Sequence, residues 1–160
     1  MSKRKNGFTL VEILIVVIIL GILAAVVIPQ FSDASDDTRS SSAMTNLKTV
    51  RSQLQLYKAQ HNETWPDAAD LGQMTTFTDA EGTTNATQTA VYRFGPYLLR
   101  VPANPYTGAN TVTIVADAAT AYSAAGDMQQ GWWYNSETGE FHCHVPDTVL
   151  TPDDTQVNGM

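Results

Sequence analysis

A single cysteine, Cys143, stands in 160 residues. No disulfide can form within the chain. A small exported domain of this kind has to be held by packing on a helix, by a metal or by neighbouring subunits. Basic residues are scarce as well. Three of the nine Lys+Arg are Lys3, Arg4 and Lys5, and the rest of the chain sets six against 16 Asp+Glu. A surface of that sign lacks the clustered cations that grip phosphate backbones, which excludes electrostatic capture of nucleic acid. Catalytic signatures are missing too. There is no nucleophile elbow, no Gly-rich phosphate loop and no Ser/His/Asp spacing. The chain reads as a non-enzyme.

His142-Cys143-His144 is the nearest approach to a metal motif, and it falls short. On a strand the two histidines share a face, but structural zinc takes four ligands. Alternation turns Cys143 toward a core with Phe141 and Val145 and leaves both histidines exposed.

What the chain does have is one long apolar run, residues 8–31, behind the short basic leader. Roughly 20 apolar positions at about 1.5 Å rise match a hydrocarbon core of about 30 Å. The positive-inside rule keeps Lys3, Arg4 and Lys5 cytoplasmic and exports the remainder. Glu12 lies inside this run. A carboxylate there costs on the order of 2–3 kcal/mol near the bilayer centre, less toward the edge. A cleaved secretory signal has no use for that cost. A permanent element with a partner for the carboxylate does. Pro29 removes one backbone hydrogen bond and is expected to kink the helix.

Gly7-Phe8-Thr9-Leu10-Val11-Glu12, followed by the apolar run with Pro29 and Phe31, resembles the N-terminus of type IV pilins and type II secretion pseudopilins. The match is strongest over residues 3–31. The resemblance implies a precursor cut by a prepilin peptidase between Gly7 and Phe8, with N-methylation of Phe8. It implies that Glu12 pairs with the N-terminal amine of a neighbouring subunit, so that Phe8 and Glu12 form the assembly pair. It also implies a calcium ion in the head of major pseudopilins, for which Asp117 and Asp127, flanking the 118–126 connection, are the candidates. Oxygen ligands suit that ion. The family's Trp-Gly-x-Pro-Tyr segment and acidic calcium loop are not recognisable here. No other cofactor is expected.

Beyond the apolar run, Ala43, Leu47, Val50, Leu54 and Tyr57 recur at steps of 4, 3, 4 and 3, one helical stripe. A nearly continuous helix over residues 8–60 follows, stopped at His61-Asn62 and forbidden to continue by Trp65-Pro66. Residues 62–110 show little periodicity, with a short helical turn expected at Ala68–Leu71 and an exposed loop at Thr83–Thr87. Gly95–Gly108, with three prolines, reads as an extended path pinned by Tyr97 and Tyr106. Strands are expected at Thr111–Ala116, Gly131–Asn135 and Glu140–Val145. Ser136–Gly139 forms a hairpin loop between the last two, with Gly139 suited to positive φ. The sheet is expected to be antiparallel, its apolar face on the helix stripe.

The expected fold is α+β and pilin-like, a long N-terminal helix on a small C-terminal antiparallel sheet. Its parts are a leader (1–7), a transmembrane or filament-core half-helix (8–31), an amphipathic half-helix (32–61) and a head (62–160: loop 62–110, sheet 111–145, tail 146–160). The expected protein is a single-pass bacterial inner-membrane precursor with a cytoplasmic N-terminus and a periplasmic or extracellular head. Its partners are prepilin peptidase, an inner-membrane assembly platform and other pilin-like subunits in a filament. The reading carried forward is a pseudopilin of a type II secretion pseudopilus. A type IV pilus pilin for adhesion or motility and a monomeric membrane-anchored binding module are the alternatives.

Overall fold

The computed structural model describes residues 7–67, 69–122 and 131–145, with backbone alone for 26–34 and for residue 70. Leader residues 1–6, the tail 146–160 and Asp127 lie outside these residues. The chain divides into two units, residues 1–38 and 39–160, and each is described by itself.

In the first unit the chain is non-helical at residues 7–9 and enters α1 at Leu10. α1 runs Leu10–Gln60, and its assignment continues through Pro29. Every large apolar side chain from Leu10 to Leu23 is at least half exposed. A helix apolar all round has no soluble face of its own and belongs against lipid or other helices. Among the described residues no helix is long and apolar enough to cross a membrane. The span expected over 8–31 takes in side chains 26–31, which lie outside the description.

In the second unit the last turns of α1 carry the stripe. Ala43, Leu47, Val50, Leu54 and Tyr57 are all at most 2% exposed. Burial of a full apolar side chain contributes on the order of 1.5–3 kcal/mol, so this stripe anchors the head. It packs against Val112, Trp132, Tyr134, Phe141, Cys143 and Val145. α1 ends as expected: Asn62 and Glu63 take positive φ, and the Glu63 amide donates back to the Lys58 carbonyl at 3.0 Å.

A 3-10 turn Ala69–Leu71 and a short α2, Gly72–Thr75, follow. Two short strands, β1 (Phe77–Thr78) and β2 (Thr84–Asn85), then pair antiparallel. They stand where only loop was expected, because two-residue strands leave no periodicity to read. Tyr97 and Tyr106 both pack against the core, and the Tyr97 hydroxyl donates to Gln60 at 2.7 Å.

The main sheet holds β3 (Val112–Val115), β4 (Trp132–Asn135) and β5 (Phe141–Cys143) in the order β3-β4-β5. β4 and β5 pair antiparallel, Trp133 opposite His142. Their loop is the expected hairpin, with Gly139 at φ 77°. β3 and β4 are parallel, Val112 opposite Trp132. The antiparallel expectation therefore holds for one pair, and the sheet as a whole is mixed. The physical reason is the connection: 116–131 is long enough for the crossover that parallel pairing demands, which a hairpin cannot supply.

Three contacts lock the sheet in place. The Arg51 guanidinium on α1 donates to the Phe141 carbonyl through Nε (3.0 Å) and Nη2 (2.8 Å). Buried Asn104 donates to the carbonyls of Gly131 (2.6 Å) and His144 (3.1 Å), tying the entry of β4 to the exit of β5. Gly139 lies against the Trp65 ring, where any Cβ would clash, and Lys58 Nζ sits 4.7 Å from the centre of the same ring. His61 is also structural: its ring stacks on Tyr57 at 3.8 Å and bonds the Tyr57 carbonyl and the Thr78 hydroxyl.

Leu54 and Leu56 give a direct check on the stripe, since Leu54 is 1% exposed and Leu56 is 44% exposed. Leu54→Ala is expected to lower unfolding free energy by about 2–5 kcal/mol, and Leu56→Ala by less than about 1 kcal/mol. Equal losses in chemical denaturation would mean that the helix is rotated from this register.

Candidate functional site

The candidate site is the start of α1. Gly7 and Phe8 are exposed and non-helical, with Phe8 81% exposed. The peptide bond between them thus lies in open backbone just ahead of the first turn, the conformation a peptidase cleft can accept.

Thr9 and Glu12 form a reciprocal cap on that turn. The Glu12 amide donates to Thr9 Oγ1 at 3.3 Å, and the Thr9 amide donates to Glu12 Oε2 at 3.2 Å. The Thr9 hydroxyl also donates to Oε2, at 3.2 Å. This is a capping box, which satisfies two otherwise orphaned backbone donors at a helix N-terminus. A carboxylate in the first turn also faces the positive end of the helix dipole. Sequence reasoning singled out Glu12 as an acid in need of a partner and missed the local one. The signal was present as Thr-x-x-Glu at positions 9–12. Both contacts of the Glu12 carboxylate fall on Oε2, so among the described residues Oε1 is left for something else.

The structure brings Gly7, Phe8, Thr9 and Glu12 together at one helix end. The backbone at Pro29 is helical, and a kink there is no part of this cluster.

The calcium candidates belong to the second unit. Asp117 follows β3 and caps its own turn: Oδ1 accepts from the Ala119 amide at 2.9 Å, and Oδ2 from the Thr120 hydroxyl at 2.8 Å. Those two bonds, the Ala119 amide foremost, hold its carboxyl below the usual range. An ionised, exposed carboxylate has lone pairs to spare for a cation, but calcium takes six to eight oxygens. The carbonyls of Asp117 and Thr120 already accept from Asn135 Nδ2. Asp127 lies outside the described residues. Among those residues no group of three or more His, Cys, Asp or Glu could hold a metal.

The His-Cys-His stretch differs from its expected exposure. Cys143 faces the core as expected, and burial pushes its thiol up to about 12. His144 is buried and His142 half-buried. The cover is Tyr122, whose ring stacks on His142 at 4.7 Å and whose hydroxyl donates to the Cys143 carbonyl at 2.8 Å. Alternation correctly placed both histidines off the helix-facing side. It could not show that the crossover folds back over them.

Comparison with known proteins places this helix start in context. A profile of the prokaryotic N-terminal methylation motif matches residues 2–28. The type II secretion system core protein G of Vibrio cholerae serotype O1 is 30% identical over 131 residues, covering 81% of this chain and 86% of that protein. The core protein G of Aeromonas hydrophila is 29% identical over 105 residues, 66% of this chain and 70% of that protein. The type IV major pilin protein PilA of Myxococcus xanthus is 49% identical over 49 residues, 31% of this chain and 22% of that protein. No solved structure gives a significant match. With a methylation motif on its capped first turn and its similarity running through the head, the chain belongs to the type II secretion system core protein G family.

Proposed function

We propose that the chain is a structural pseudopilin subunit of a type II secretion pseudopilus. It is inserted in the inner membrane as a precursor through residues 8–31, with its N-terminus cytoplasmic and its head on the far side. Prepilin peptidase cuts it between Gly7 and Phe8 and methylates Phe8. It then assembles with other pilin-like subunits on an inner-membrane platform.

The observation that carries this reading is the geometry of Glu12. Its carboxylate is fixed at the first turn of a helix that is apolar on all sides, through Oε2 alone. The Thr9 amide stays in the chain after a cut at Gly7, so the cap survives processing. The new amine of Phe8 then stands four residues before Glu12, and a cation and an anion in apolar surroundings each need a partner. Oε1 offers the carboxylate's second position to the amine of a neighbouring subunit. Pro29, on this reading, is where the packed helix bends or loosens.

A second reading has one observation behind it. The similarity to a type IV major pilin favours a pilus subunit that would use the same helix start.

Three measurements test these proposals. Glu12→Ala, co-expressed with prepilin peptidase, is expected to be cut after Gly7 yet to assemble at least about tenfold less, equivalent to ~1.4 kcal/mol of lost pairing. A processed variant that still builds filaments would remove Glu12 from assembly, and an intact N-terminus in the wild type would remove the precursor step. Deletion of the chain in its host is expected to trap exoproteins in the periplasm; loss of surface fibres with normal secretion would assign it to a pilus instead. For calcium, with Asp117 and Asp127 as the proposed ligands, chelation is expected to lower the melting temperature of the head by several degrees, and a melting curve indifferent to chelator would remove the ion.

A further inference from the structure

The outer face of the β4–β5 hairpin, turned away from α1, carries Trp133, Asn135, His142 and His144. Residues 116–122, the first part of the crossover, lie over this face as a strap. Two side chains hold the strap down. Asn135 Nδ2 donates to the carbonyls of Asp117 (2.9 Å) and Thr120 (3.2 Å). Tyr122 stacks on His142 at 4.7 Å with the rings 8° apart, meets Trp133 edge-on at 5.7 Å, and donates its hydroxyl to the Cys143 carbonyl.

Among the described residues His142 is sandwiched between Tyr122 and Trp133, and His144 meets the Tyr122 ring edge-on at 6.0 Å. His142 Nδ1 is buried and has no hydrogen-bond partner among the described residues. A neutral ring leaves one lone pair unsatisfied there. A protonated ring puts a charged N–H in the same place, which costs far more. Among the described residues no group offsets that charge. From α1 it faces Arg51, a cation; from β4 Trp133, uncharged; from its own strand His144; from the strap the Tyr122 phenol. Neither Asp117 nor Glu140 is among the groups that act on it. Asp117 caps its own turn, and Glu140 acts on the Arg51 guanidinium.

We propose that His142 is a proton-operated latch: neutral, it holds the 116–122 strap against the sheet through Tyr122, and protonated, it releases the strap to reach water. Among the described walls around the ring, the strap is the one whose far side is solvent-exposed (Ala116–Thr120), so it yields first. The direction of the pH dependence follows. Burial, and then Arg51, hold His142 down at about 4 in the closed form, whereas an exposed imidazole titrates near 6.5. Between those values the opened form binds the extra proton, so acidification through that window favours opening, and neutral pH favours the closed strap.

The test is hydrogen exchange on the full-length chain in detergent between pH 7 and pH 4, corrected for intrinsic exchange rates. Protection of residues 116–122 is expected to fall at least tenfold, while α1 residues 43–57 keep theirs. His142→Phe keeps an aromatic ring for Tyr122 and cannot be protonated, so its strap is expected to stay protected at pH 4. Tyr122→Ala is expected to free the strap at both pH values. Wild-type protection that is unchanged at pH 4, loss in His142→Phe equal to that of wild type, or simultaneous loss across 43–57 would each overturn the latch. Should His142→Phe fail to fold, the imidazole titration of wild type by NMR decides: a His142 that titrates with no change in the Tyr122 ring signals overturns it.

Discussion

The stripe Ala43, Leu47, Val50, Leu54 and Tyr57 cannot shelter itself, because a lone helix has no interior. Everything in the second unit is arranged to cover it. The sheet turns its apolar side chains to the stripe, the 95–108 segment pins its tyrosines beside it, and His61 closes the helix end through Tyr57. The same helix carries an apolar surface in its first turns, where the large side chains from Leu10 to Leu23 are at least half exposed. An exposed apolar surface of that extent marks a site of interaction with other helices or with lipid.

The sheet is finished at its second edge by side chains. An open edge strand is a template for unwanted pairing. Here Arg51 from the helix takes the Phe141 carbonyl and Tyr122 from the strap takes that of Cys143. The arrangement commits a guanidinium and a phenol to backbone carbonyls, and in doing so ties the helix on one face and the strap on the other to strand β5.

How much of this was legible beforehand depended on periodicity. The helix and its stripe were, because steps of 3 and 4 over five apolar residues leave little choice. β4, β5 and the Gly139 turn were, because aromatic strands bounded by Ser-Glu-Thr-Gly have a strong local signal. β3 was legible as a strand but not in its direction, which is decided by where a long polar connection runs. β1 and β2 were invisible, since their order comes from tertiary contacts such as the bridge between Thr78 and Phe94. At the helix start, the family resemblance pointed to Gly7, Phe8 and Glu12. The capping role of Thr9 was written in the spacing, in Thr-x-x-Glu, beside the more conspicuous acid in an apolar run. Burial of His142 and His144 was not readable at all, because Tyr122 is twenty or so residues away and carries no pattern that announces a lid.

The parallel pairing of β3 with β4 also sets an order of events. β3 cannot gain its ladder until Trp132 has arrived, and β4 is not held on its other side until Cys143 follows. Non-local contacts of that kind form slowly, since loop closure must precede any gain. α1, in contrast, needs only local hydrogen bonds. A chain emerging from its N-terminus therefore has its helix early and its head late, with the stripe unprotected in between. The core that covers the stripe is therefore incomplete until Val145, the last of its residues in chain order, is in place.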